Sequence, residues 1–223
     1  MQMTRVGYWV PVFPTCYNLS MDSRPSDDVL RETDLPVYER AFAAVQKVQE
    51  RLERACRALD RAEIPYAVIG GHAVAAWVAT VDDGAVRNTR DVDLLLRAED
   101  LERATAALEA AGFCRDQVMD VIVFLDGPEG KPSQGVHIVI AGRKIREDYV
   151  DPAPQVDDFQ SMNGRRTVQL EELVRMKLNS FRDKDRTHLR DMIQVGLIDP
   201  AWVARFKPVL AQRLQQLFDN PNG

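Results

Sequence analysis

Two aspartates one residue apart, Asp91 and Asp93 in "RNTRDVDLLL", stand at the mouth of an apolar run. Side chains alternate across a strand, so both carboxylates leave one face of such a run while Val92, Leu94 and Leu96 leave the other. The apolar set fixes that register. Like charges held this close raise one another's pKa unless a cation lies between them. Mg²⁺, which takes hard oxygen ligands from one or two carboxylates together with substrate phosphates, answers that need. The chemistry such a pair would serve is phosphoryl or nucleotidyl transfer. A solvated strand end, salt-bridged to Arg87 or Arg90, is the alternative that the pair alone leaves open.

The elements that would position the pair follow from periodicity. Residues 35–63 carry Phe42, Val45, Val48, Leu52, Cys56 and Leu59 at helical spacing with charges between them, which predicts an amphipathic helix. "IPYAVIGG" then predicts a short buried strand closed by Gly70 and Gly71, and "HAVAAWVA" a buried helix. A strand, two glycines and a helix form a place where bare backbone N–H groups approach an anion at a positive helix end. "DVDLLL" is the next strand, and "AEDLERATAALEAAG" a surface helix with Leu101, Ala104, Leu108 and Ala111 inward and Gly112 as its stop. "VIVFLDG" and "GVHIVIAG" predict a hairpin with a long loop, so the sheet is mixed. A proline-bearing connector, "EDYVDPAPQVDDFQSMNG", leads to the helical stretch "LEELVRMKLNSFRDKDRTHLRDMIQVGL" and a last helix opened by Asp199 and Pro200.

With "IPYAVIGGHAVAAW" followed by "TRDVDLLL", the sequence resembles the nucleotidyltransferase superfamily, which includes DNA polymerase beta, kanamycin nucleotidyltransferase and the CCA-adding enzymes. In particular it is similar to the bacterial branch related to abortive-infection toxins, and the resemblance spans about residues 62–195. The resemblance implies an α/β (α+β) fold with a small mixed sheet flanked by helices, followed by a C-terminal helical segment. It further implies that Gly70 and Gly71 hold the triphosphate of an incoming nucleotide and that Asp91 and Asp93 ligate Mg²⁺. Thr89 and Arg90 would position phosphate or shape the loop. In the family reaction a metal-activated hydroxyl attacks the α-phosphorus and pyrophosphate leaves.

Family members often carry a third acid on a later strand; here His137 stands at that place, opposite in face to Val136, Ile138 and Ile140. Asp120 and Asp126, flanking the neighbouring strand, are the other acids that could substitute. His72 follows the glycines and is expected to make a local hydrogen bond at the helix start. In the C-terminal helical stretch Lys177, Lys184 and Asp191 recur at seven-residue spacing, with Phe181 and His188 between them. By resemblance Lys177 contacts the triphosphate and Lys184 supports it, ion-paired with Asp185. Trp202, Val203, Phe206, Val209, Leu210, Leu214 and Leu217 are expected to pack.

The chain of 223 residues has 45% hydrophobic residues, a net charge of −5 and three cysteines without CxxC spacing. That balance argues against duplex DNA binding by phosphate neutralisation and against a zinc or disulfide framework. Prolines 11 and 14 interrupt the apolar N-terminus, so a flexible extension over residues 1–34 is expected rather than a signal peptide. No run reaches the roughly 20 apolar residues of a membrane helix. The expected plan is an α/β core over 35–150 and a helical region over 151–223, in a cytoplasmic protein. The expected activity is transfer of a nucleoside monophosphate from an NTP to a hydroxyl of a small molecule, a protein or RNA. The rival is a catalytically weakened nucleotide- or partner-binding protein on the same fold, such as a toxin-antitoxin component. Phosphohydrolase chemistry is disfavoured, because the sequence has no HD dipeptide and no H-x-x-x-H pair.

Overall fold

Seven strands lie side by side in the order β3-β4-β5-β2-β1-β7-β6 in the computed structural model, which describes residues 36–118 and 121–221. The central strands are β1 (Tyr66–Ile69) and β2 (Val92–Leu96), antiparallel with Ile69 opposite Asp93. Beside β2 runs β5 (Val136–Ile140) in parallel, and the antiparallel β4 (Val121–Leu125) and β3 (Cys114–Val118) complete that side. On the far side of β1 stand β7 (Arg165–Val168), parallel to it, and β6 (Phe159–Met162). All four residues of β1 are buried, as a strand covered on both faces requires.

Each face of the sheet has its own apolar layer. Tyr66 and Val68 of β1, with Val92, Leu94 and Leu96 of β2, meet α1 (Val37–Arg61) and α3 (Leu101–Ala110). Ala67 and Ile69, with Leu95, meet α2 (Gly70–Val78), α4 (Leu170–Ser180), α5 (Asp183–Gln194) and α6 (Pro208–Asp219). The alternation expected for "DVDLLL" is thus realised, and it puts Asp93 on the Leu95 side, beneath α2 and α5. Burial on α1 begins at Val48; Phe42, expected to lie inward, is exposed along with Val37 and Tyr38.

Three differences from expectation concern elements. The stretch after β5, expected as a connector, holds the β6–β7 hairpin, and the helical stretch then begins at Leu170 as expected. Asn163 and Gly164, with φ of 49° and 74°, form its two-residue turn, the Asn-Gly signature that suits the twist of paired strands. The Trp77 indole of α2 donates to the Val168 carbonyl at 2.9 Å and ties α2 to β7. Secondly, the stretch expected as one helix after residue 169 is two, broken where Phe181 takes a left-handed φ of 47°. Arg213 of α6 closes that break, donating to the Leu178 and Asn179 carbonyls at 2.7 and 2.8 Å. Thirdly, Asp199 and Pro200 open a 3₁₀ turn, Pro200–Arg205, and α6 starts afresh at Pro208. Trp202 and Phe206 pack in the core as expected, whereas Val209 is exposed. No described helix is long and apolar enough to cross a membrane. The expected extension over 1–34 lies outside the described residues.

Candidate active site

The parallel register of β2 and β5 sets Asp93 directly beside His137. One ligand atom each from Asp91, Asp93 and His137 lies within 4.8 Å of the other two. His137 Nδ1 stands 3.5 Å from Asp93 Oδ1, and its Nε2 donates to the Pro132 carbonyl at 2.9 Å. The Asp93 carboxylate beside it raises the imidazole pKa above the ordinary histidine value, against the opposing effect of burial. Burial pushes the Asp91 carboxyl up, but the Thr89 hydroxyl and the Lys184 ammonium outweigh it and hold the pKa at about 2. Thr89 Oγ1 donates to Asp91 Oδ1 at 2.8 Å, and Lys184 Nζ to the two Asp91 oxygens at 3.2 and 3.4 Å.

Gly70 and Gly71 begin α2 against this cluster. Gly70 has a φ of 67°, and a Cβ built on it would collide with Asp93 Oδ2 and lie 2.7 Å from Asp93 Cγ. A Cβ on Gly71 would meet Thr89 Oγ1 at 2.7 Å. Each glycine therefore makes room for one polar group from the β2 segment, a reason for the pair beyond anion approach. His72 follows on the first turn of α2, buried, and its Nε2 has no hydrogen-bond partner among the described residues. Burial lowers its pKa to about 4 even with Asp93 and Asp91 nearby, so it is neutral near pH 7.

The cations of α4 and α5 divide the work differently from the expected stripe. Lys177 is buried and bonded to Asp185 at 3.1 Å; Arg182 and the Ser180 hydroxyl also donate to Asp185, at 2.8 and 2.7 Å. Lys184 does not pair with Asp185 as expected, since the break at Phe181 turns it toward Asp91. Asp191 accepts from Arg87 at 2.6 Å and so anchors the loop that carries Thr89. His188, buried on the same helix, is held neutral by burial, with a pKa lowered to about 4.

Asp126 is no substitute third acid, because Arg51 and Arg54 both bind it. Asp120 lies outside the described residues. Arg90 has an exposed side chain and gives its carbonyl to Arg51 at 3.4 Å, so its observed part is in the backbone of the loop. Arg51 is the supporting residue that the sequence reading missed. Its place on the buried stripe of α1, an arginine at helical spacing with Val48, Leu52 and Ala55, was the signal.

A central β2 with two acids facing a glycine-opened helix across a mixed sheet defines a nucleotidyltransferase architecture. The sequence matches the family described as an uncharacterised nucleotidyltransferase over residues 11–172, and the protein belongs to that family. Among solved structures it is similar to the antibiotic-resistance factor ANT(2'')-Ia, with 15% identity and a TM-score of 0.51 over 80% of this chain and 94% of that one. JHP933 from Helicobacter pylori is similar with 18% identity and a TM-score of 0.45 over 80% of this chain and 75% of that one. The lincosamide antibiotic adenylyltransferase LnuA, in its lincomycin-bound form, is similar with 14% identity and a TM-score of 0.44 over 61% of this chain and 90% of that one. At such identity the likeness to ANT(2'')-Ia bears on fold alone. No curated protein matches the sequence.

Proposed function

We infer that the protein transfers a nucleoside monophosphate from an NTP to an acceptor hydroxyl, with a divalent cation at Asp91 and Asp93. The observation that carries this reading is the convergence of Asp91, Asp93 and His137 within 4.8 Å against a glycine turn whose missing side chains admit Asp93 and Thr89. Two carboxylates and an imidazole nitrogen are a donor set suited to a divalent ion. Such an ion supplies charge that steadies the phosphate oxygens and lowers the pKa of an attacking hydroxyl.

The protein's own groups account for the rest. The amides at the start of α2 offer hydrogen bonds to phosphate oxygens at the positive helix end. Thr89 orients Asp91. Lys184, exposed and bonded to Asp91, is long enough to exchange that carboxylate for a phosphate oxygen of the NTP. Lys177 contributes through Asp185, holding the start of α5 rather than the triphosphate itself. The acceptor belongs to the hydroxyl-bearing small molecules, proteins or RNAs; the likeness to the antibiotic-resistance factor ANT(2'')-Ia favours the first of these.

The test is incubation with α-labelled NTPs, a divalent cation and panels of acceptors. Labelled product is expected from wild type and is expected to be lost in Asp91→Ala and Asp93→Ala; label that survives both substitutions would refute this centre. His137 in place of a third carboxylate favours a second reading, a nucleotide- or partner-binding protein of the same fold with weakened catalysis. NTP binding without turnover under every acceptor would establish it.

A further inference from the structure

The third position of the cluster sets what kind of cation the centre prefers, an inference that rests on the reading of Asp91 and Asp93 as metal ligands. A carbonyl oxygen only accepts, so the nitrogen of His137 bonded to Pro132 carries the proton. In the neutral ring the lone pair then sits on Nδ1, the atom 3.5 Å from Asp93 Oδ1. Hydrogen bonding of the outer imidazole nitrogen to a carbonyl is how proteins fix the tautomer and ring orientation of a metal-ligating histidine. The same bond removes His137 from the role of base toward the acceptor, because its basic nitrogen faces the carboxylates. Fixed beside Asp93 by strand register, His137 turns what would be an all-oxygen set into a mixed oxygen and nitrogen set.

We propose that His137 Nδ1 is a direct ligand and that the centre therefore selects a first-row transition-metal dication over Mg²⁺. Mg²⁺ has little affinity for imidazole, whereas affinity for nitrogen rises from Mn²⁺ along the row. Mn²⁺ is the most oxygen-preferring ion of that row, so it gives the most demanding test.

The experiment measures Mn²⁺ binding to the full chain by electron paramagnetic resonance, with Mg²⁺ as competitor, in wild type, His137→Asp and His137→Asn at one fixed pH. Echo modulation from a coordinated nitrogen is expected in the wild type and absent from both variants, although His72 and His188 remain. The preference for Mn²⁺ over Mg²⁺ is expected to fall by about tenfold or more in His137→Asp. Thermal unfolding of each variant checks that it is folded. Wild-type Mn²⁺ without nitrogen modulation, or a preference that His137→Asp leaves unchanged, would overturn the proposal. Its failure is separable from that of nucleotidyl transfer: label transfer with Mg²⁺ and no nitrogen modulation would leave the reaction standing. Nitrogen-ligated Mn²⁺ without any transfer would remove the reaction and keep the ligand assignment.

Discussion

At the scale of single residues, the least replaceable position is Gly70. Its left-handed φ and the approach of the Asp93 carboxylate both exclude a side chain. Gly70→Ala is expected to destabilise the fold by about 1–3 kcal/mol, measured by urea unfolding, and to displace Asp93 enough to abolish NTP labelling. Lys184→Met is milder. Half exposed, Lys184 contributes little to stability, and its loss is expected to raise the KM for NTP with an unchanged unfolding midpoint. Much of this site was legible. The D-x-D spacing and strand alternation assign Asp91 and Asp93 to one face, and two adjacent glycines after an apolar strand imply close approach. What lay hidden were the partners. Lys184 reaches Asp91 across 93 positions of sequence, and no local pattern announces such a contact. His137 was singled out only because a carboxylate was expected at its place; the bond to Pro132 depends on a loop conformation that spacing does not encode.

At the scale of elements, the break between α4 and α5 deserves a mutational test through the charge that stabilises it. Asp185 is fully buried, and although burial alone would raise its pKa, Arg182, Lys177 and Ser180 hold it at about 2. A carboxyl whose folded pKa lies below its unfolded value adds stability that is complete above the unfolded pKa of about 3.8 and disappears as pH falls through the folded one. Asp185→Asn leaves Lys177 buried without a counter-charge and is expected to cost about 3–5 kcal/mol at pH 7. The gap between wild type and variant should close as urea unfolding is repeated from about pH 4 down to about pH 2. Sequence periodicity ran straight through this break because Lys177, Lys184 and Asp191 keep a seven-residue repeat across it. At the left-handed Phe181 the carbonyls of Leu178 and Asn179 are taken by Arg213 of α6, and tertiary contacts of that kind leave no mark in helix patterning. The β6–β7 hairpin was missed for another reason. Its Asn-Gly turn is plain, but the flanking strands "FQSM" and "RRTV" do not alternate cleanly; the first forms the edge of the sheet and the second lies between it and β1.

At the scale of the whole molecule, a second pH window follows from His72 and His188. Both are buried and neutral with pKa values lowered to about 4, against the ordinary histidine value of 6.5. The unfolded chain therefore binds protons that the folded chain refuses between pH 6.5 and 4, and stability falls as pH drops through that interval. Each histidine accounts for on the order of 1–3 kcal/mol of that loss. His188→Gln is expected to flatten the dependence of the urea midpoint between pH 7 and pH 5, and an unchanged slope would contradict the burial assigned to it. The two layers of the sheet were largely foreseeable, because the apolar residues of β1, β2 and α3 carry the right periods. The order of the strands was not, since it depends on which edges the later segments find. That order places the indole of Trp77 between the glycine-opened helix and the carbonyl end of β7. The protein thus carries a built-in optical reporter: once Trp9 and Trp202 are replaced by phenylalanine, the emission of Trp77 alone should follow nucleotide docking without any attached dye.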